Sequence, residues 1–209
     1  MSRLLHISSS PRGDDSESLR VATTFLDTYY ECNPGHEIET WDLWDGTLPE
    51  FGPVAATAKM AIITGAQLTG AQSLAWRGVQ AVIERFLAAD RLLFSVPMWN
   101  SGVPYILKQL IDVVSQPGTI FGVDPHTGYQ HLLAEQGKKA AVIYTSAVWG
   151  PGLGPEFGSN FQSPYLVDWL RWTGITDIVE VGFHPTLTGD LEDARQVADA
   201  EARAAAKFF

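Results

Sequence analysis

At 209 residues with 45% apolar side chains, the sequence suits one globular domain with a full core and excludes a disordered chain. Its net charge of -10, with no basic cluster to offset it, makes nucleic acid and anionic membrane poor partners. No run approaches the roughly 18–20 apolar residues of a membrane helix, no secretion signal is read, and the single cysteine, Cys32, permits no internal disulfide, so a cytoplasmic protein is expected.

Residues 3 to 8 (RLLHIS) read as a short buried strand. From Ser16, apolar residues at 19, 22, 25, 26 and 29 repeat with helical spacing until Asn33-Pro34-Gly35 ends the helix. Alternation over 36 to 43 (HEIETWDL) predicts a strand nearer an edge. After a turn-rich stretch, residues 54 to 89 carry two helical patterns divided at Thr64-Gly65, and 91 to 97 (RLLFSVP) form an apolar run of the buried parallel type. Pro104 is suited to a first helical position, and apolar residues at 106, 107, 110, 111 and 114 follow it. Residues 116 to 137 form a Gly/Pro/His connection too long to be idle in a compact domain. A buried strand over 139 to 146, a glycine-rich loop, a helix around 165 to 174, a strand over 176 to 184 and a helix from Asp190 complete the series. This alternation predicts an open doubly wound α/β fold, a five-stranded parallel sheet with helices on both faces, as one domain over residues 1 to 209.

Ligands of such sheets bind beyond the carboxyl ends of the strands, where the strand order reverses. Three unusual loops lie at those ends. The first, 8 to 18, offers Ser8, Ser9, Ser10, Ser16 and Ser18 at a helix N-terminus with Arg12 as its only cation, which suits a terminal phosphate monoester. A solvated loop with Ser16 as helix cap explains the same composition. The second, 97 to 104 (PMWNSGVP), would present Met98, Trp99, Asn100 and backbone amides to a flat aromatic ligand, with core packing of Met98 and Trp99 as the plainer alternative. The third, 145 to 154 (TSAVWGPGLG), reads as a flexible cover with Trp149 as a stacking residue, and Phe121 in the long connection could act similarly.

Other chemistries find no support. The five histidines contain no H-x-x-x-H pair and the lone Cys32 joins no cluster, so no metal site is expected; no G-x-S-x-G elbow offers a serine nucleophile. Both nucleotide fingerprints fail in the first loop. Asp14 and Asp15 come too late for the acidic site of a receiver domain.

Three blocks do match a known pattern: S-S-S-P-R-x-x-x-S-x-S after the first strand, P-M-W-N-x-x-x-P-x-x-L-K-x-x-I-D over 97 to 112, and K-K-A-x-V-I-x-T-S over 138 to 146. Together they resemble the FMN-dependent NADH-azoreductases and NAD(P)H quinone reductases of flavodoxin-like fold, in order over nearly the whole chain. The resemblance implies FMN, with its phosphate held by Ser9 or Ser10 together with Ser16, Glu17 and Ser18. It implies that Pro97, Met98, Trp99, Asn100 and Ser101 pass along the isoalloxazine ring, with Thr145 and Ser146 nearby. Where the family follows Thr-Ser with a residue and two glycines, this chain has Ala147, Val148, Trp149 and Gly150, so Val148 and Trp149 add bulk at the ring face and become substrate-side residues together with Phe121.

The implied activity is ping-pong transfer of hydride from NADH or NADPH through flavin N5 to azo compounds, quinones or related electrophilic aromatics, with no catalytic side chain required. A homodimer with its active site at the interface is implied too. A quinone reductase, nitroreductase or pathway-specific flavin reductase with an altered pocket, and a non-enzymatic flavodoxin-type electron carrier, stand as alternatives, beside a domain that has lost its flavin and serves only in interactions.

Overall fold

The computed structural model describes residues 2–209. Five strands form one parallel sheet: β1 (Arg3–Ser8), β2 (Glu37–Asp42), β3 (Arg91–Pro97), β6 (Lys139–Thr145) and β7 (Asp177–Phe183), in the order β2-β1-β3-β6-β7. The helices are α1 (Glu17–Cys32), α2 (Pro53–Thr64), α3 (Gly70–Leu87), α4 (Tyr105–Val114), α5 (Gln162–Thr173) and α6 (Leu191–Phe208). Pro104 stands as the residue before α4 instead of in its first turn.

Strand residues alternate between two cores. Leu5, Ile7, Leu92, Phe94, Val142 and Tyr144 face the side covered by α3, α4 and α5, where Phe86 and Trp169 are buried. Leu4, Leu93, Ala141 and Ile143 face α1 and α6, and Ala198, Ala202 and Ala206, four residues apart, form the buried seam of α6. Because β1, β3 and β6 are covered on both faces, their central residues read as largely apolar runs, broken only by His6 and Ser95. β2, at an edge, buries only Trp41 fully and keeps the alternating pattern.

The 116–137 connection holds an element the periodicity did not signal, an antiparallel hairpin of β4 (Phe121–Asp124) and β5 (Gly128–His131). Its turn is built by Asp124 Oδ1, which accepts from His126 N–H (2.8 Å) and Thr127 N–H (2.9 Å), with Gly128 at φ +88°. Among the described residues no helix is long and apolar enough to cross a membrane, and no group of three His, Cys, Asp or Glu could hold a metal ion.

Candidate active site

The strand order reverses between β1 and β3, and their carboxyl ends deliver the first two loops side by side. Ser95 of β3 binds the first loop: its carbonyl accepts from Ser9 Oγ (2.7 Å) and Ser9 N–H (3.2 Å), and its hydroxyl pairs with His6 Nε2 (2.7 Å). All of Ser8, Ser9, Ser10, Ser16 and Ser18 are buried, whereas Arg12 is exposed. Ser16 caps α1, its Oγ accepting from Leu19 N–H and sharing a hydrogen bond with Ser18 Oγ (3.1 Å). The cap explains part of the serine content. The amides of Glu17 and Ser18, in the unpaired first turn of a sixteen-residue helix, have no acceptor among the described residues.

Two adjoining cavities open here. One, about 140 Å³, is lined by Ser10, Arg12, Ser16, Glu17, Pro97, Met98, Trp99, Thr145, Ser146, Ala147 and Thr186. The other, about 180 Å³, shares Met98, Ser146 and Ala147 and adds Asn100, Ser101, Val148, Trp149 and Phe157. The groove therefore has a serine and amide end and an aromatic, apolar end. Larger open cavities exist elsewhere; in one of about 550 Å³ the lining His6 bonds to Thr40 and Ser95, and Arg20 binds Glu17 and Asp199.

The second loop is held in a strained form. Trp99 and Gly102 exchange both backbone hydrogen bonds (2.9 Å each) around Asn100 (φ +48°) and Ser101 (φ +67°), a two-residue turn with left-handed backbone at both centres. For non-glycine residues this costs about 1–3 kcal/mol each. The turn is secured by Phe161 N–H to Ser101 O (2.8 Å) and Met98 N–H to Thr145 O (2.7 Å), and it leaves the Asn100 and Ser101 amides without acceptors among the described residues. Two rings that sequence reasoning passed over brace it. Trp44 donates its Nε1–H to Ser9 O (3.1 Å) and lies 5.9 Å from Trp99, and Tyr105 meets both rings.

The sequence-nominated residues fall into three groups. Ser10, Ser16, Glu17, Pro97, Met98, Trp99, Asn100, Ser101, Thr145, Ser146, Val148 and Trp149 line the groove. Ser9 and Ser18 lie behind it, their hydroxyls turned to Ser95 O and Ser16 Oγ. Phe121 stands apart, packed on Trp172 (4.6 Å) and Tyr129 (5.7 Å) in a ring cluster beneath the hairpin. The third loop is not the free cover its glycines and prolines suggested. Thr186 N–H binds Ser146 O (2.8 Å), Leu187 N–H binds Ala147 O (3.0 Å), and Trp149 packs edge-on against His184 (5.1 Å).

Electrostatics at the serine end centre on Glu17, which binds Arg20 Nε (2.8 Å) and the Arg195 guanidinium (2.5 Å), while Arg20 also grips both oxygens of Asp199 (3.0 Å). Burial works against ionisation of Glu17, yet the hydrogen bonds from Arg195 and Arg20 outweigh it and hold the carboxyl below its usual range. Burial pushes both His6 and His184 down to about 4, so both are neutral near pH 7.

A neutral-donor cradle at a helix start, continuous with an amide-edged aromatic groove at the switch point of the β2-β1-β3-β6-β7 parallel sheet, defines a flavin-nucleotide type of α/β domain. The chain belongs to the family described as flavodoxin-like fold, whose model matches residues 2–208. It is 42% identical over 190 residues to an FMN-dependent NADH:quinone oxidoreductase of Ruegeria pomeroyi, covering 91% of this chain and 92% of that one. FMN-dependent NADH:quinone oxidoreductase 9 of Burkholderia lata is 40% identical with both chains fully covered. A solved FMN-dependent NADH-azoreductase from Bacillus anthracis, in complex with FMN, superposes with a TM-score of 0.91 at 25% identity, over 100% of this chain and 99% of that one.

Proposed function

We propose that this protein is an FMN-dependent oxidoreductase that oxidises NADH and reduces quinones. The observation that carries this is the single groove in which a phosphate-type cradle (Ser10, Ser16 and the free amides of Glu17 and Ser18) runs into a ring-type slot edged by the Asn100 and Ser101 amides. The donor set fits FMN: neutral hydroxyls and amides with one cation suit a phosphate monoester, and the strained turn aims amides at the polar edge of a flat ring. When bound, FMN supplies the hydride-accepting and hydride-donating chemistry. The protein's part is to orient, through Met98, Trp99 and the Thr145–Ser146 backbone, and to exclude water with Trp149 and Phe157.

Azo compounds extend the acceptor class, and donor and acceptor use one slot in turn, which gives ping-pong kinetics. The chain acts as one FMN-binding domain, since a single sheet links residues 3 to 183 and α6 closes its second face. A homodimer is supported by α2, which buries only Ala55 and Ala58 and exposes Val54, Met60, Ile62 and Ile63. In that assembly Phe121 would serve the groove of a second copy, since its own chain keeps it away from the groove. A cytoplasmic location is the reading supported by the free thiol of Cys32, which a reducing compartment preserves.

The test is the visible spectrum of the purified protein after FMN addition and removal of excess, followed by NADH oxidation with a benzoquinone. Retained flavin absorption and parallel double-reciprocal lines are expected. A colourless protein without turnover overturns the assignment, and intersecting lines overturn the ping-pong order.

A further inference from the structure

Past the end of β7, His184 touches the third loop at the point where this chain carries bulk. Ser146 Oγ is bonded both to Trp149 O and to His184 Nδ1 (3.0 Å). A carbonyl can only accept, so the one hydroxyl proton of Ser146 goes to Trp149 O. Ser146 Oγ must then accept from His184, which requires the proton of the neutral imidazole to sit on Nδ1. Gly182 makes room for this ring: a Cβ there would stand 2.9 Å from both His184 Cδ2 and Nε2. The edge of the ring meets the Trp149 indole at 5.1 Å and 77°, and Pro185 closes on Gly150, where a Cβ would lie 3.3 Å from Pro185 Cδ. One imidazole thus fixes the 146–149 turn by a hydrogen bond and sets the pose of Trp149 by ring contact.

We propose that His184 is a positioning residue which, by donating Nδ1–H to Ser146 and packing on Trp149, holds Val148 and Trp149 as the wall that selects acceptors by size. The inference rests on the oxidoreductase assignment and deepens it, since Val148 and Trp149 line the ring-type slot whereas His184 lines neither cavity. His184 makes no contact with reacting atoms. Its loss frees the wall without emptying the cradle.

The experiment compares wild type, His184→Ala and His184→Asn for FMN content and for kcat and KM with a small benzoquinone and a bulky naphthoquinone. Asn is the informative replacement because its side-chain amide N–H occupies the place of Nδ1–H. His184→Ala is expected to keep its FMN and its rate with the benzoquinone, while the benzoquinone-to-naphthoquinone ratio of kcat/KM shifts about fivefold or more, the scale of one altered pocket contact. His184→Asn is expected to recover most of that ratio. Nitrogen NMR of wild-type His184 should show the Nδ1–H tautomer, a readout that needs no variant to fold. An unchanged ratio in an FMN-loaded His184→Ala protein, equal shifts in both variants, or an Nε2–H tautomer overturns the role of His184 alone. A wild type that neither holds FMN nor oxidises NADH overturns the oxidoreductase assignment instead.

Discussion

Arg195, on α6, reaches across 178 residues of sequence to neutralise Glu17 on the wall of the cavity proposed to cradle the FMN phosphate. Glu17, Arg20, Asp199 and Arg195 together carry no net charge, so Arg195→Met, which keeps the apolar stem, leaves one negative charge beside the anion site. A cavity of about 140 Å³ is roughly 6 Å across, so an anion inside it lies within about 8 Å of the Glu17 carboxylate. At that distance a unit charge opposes a phosphate dianion by about 1 kcal/mol in water and about 4 kcal/mol at an effective dielectric near 20. Physiological salt, with a Debye length of about 8 Å, cuts this roughly threefold, which leaves about 0.4–1.5 kcal/mol, or about two- to twelvefold in Kd. Titration of FMN by quenching of its fluorescence, at low and high salt, should show that weakening for Arg195→Met, larger at low salt. Adding Glu17→Gln should restore the affinity by removing the uncompensated charge. If the double variant binds FMN no better than Arg195→Met, or if the loss is independent of salt, the electrostatic account is wrong and α6 acts only by packing.

The buried histidines make stability depend on pH in a direction that can be worked out. The folded pKa of His6, about 4, lies below its ordinary 6.5, so its contribution is complete above pH 6.5 and is lost as pH falls toward 4, with a slope of about 1.4 kcal/mol per pH unit for one proton. His6→Gln keeps a polar group near Nε2 for Ser95 but takes up no proton, so urea unfolding over that range should show a flatter decline by about that slope; an unaltered slope would count against it. Gly174→Ala tests the α5 terminus, where φ is +108° and a Cβ would meet Ala134 N at 2.4 Å. Left-handed strain and the backbone clash together should cost roughly 3 kcal/mol or more and lower Tm by about 6–12 °C, read by thermal melting; a shift under about 2 °C would refute the clash.

The sheet was legible because strands buried on both faces are mostly apolar, and the central stretches LLHI, LLFSV and AAVIY are broken only at His6 and Ser95, which bond to each other. The hairpin was not, because FGVD and GYQH are short and largely exposed; the Asp-Pro-His-Thr-Gly turn between them was its only local mark. The groove was legible as a meeting of three loops, whose residues line its two cavities. Which serines face inward was not, since Ser9 and Ser18 differ from Ser10 and Ser16 only in the partners that folding gives them. Trp44, Arg195 and His184 were invisible for the same reason: a lone ring or cation acquires its role from a partner 35 to 178 residues away.

The strand order leaves β2 and β7 with one unpaired backbone row each, ready-made templates for adding a strand from another molecule. Glu37, Glu39 and Asp42 lie along β2, and Asp177 and Glu180 along β7. Arg3 and Arg85 pair with Glu37 and Glu39, and Lys139 pairs with Asp177, so a strand added at either edge would have to bury or break these ion pairs. Lateral growth of the sheet into larger aggregates is thereby discouraged at both edges.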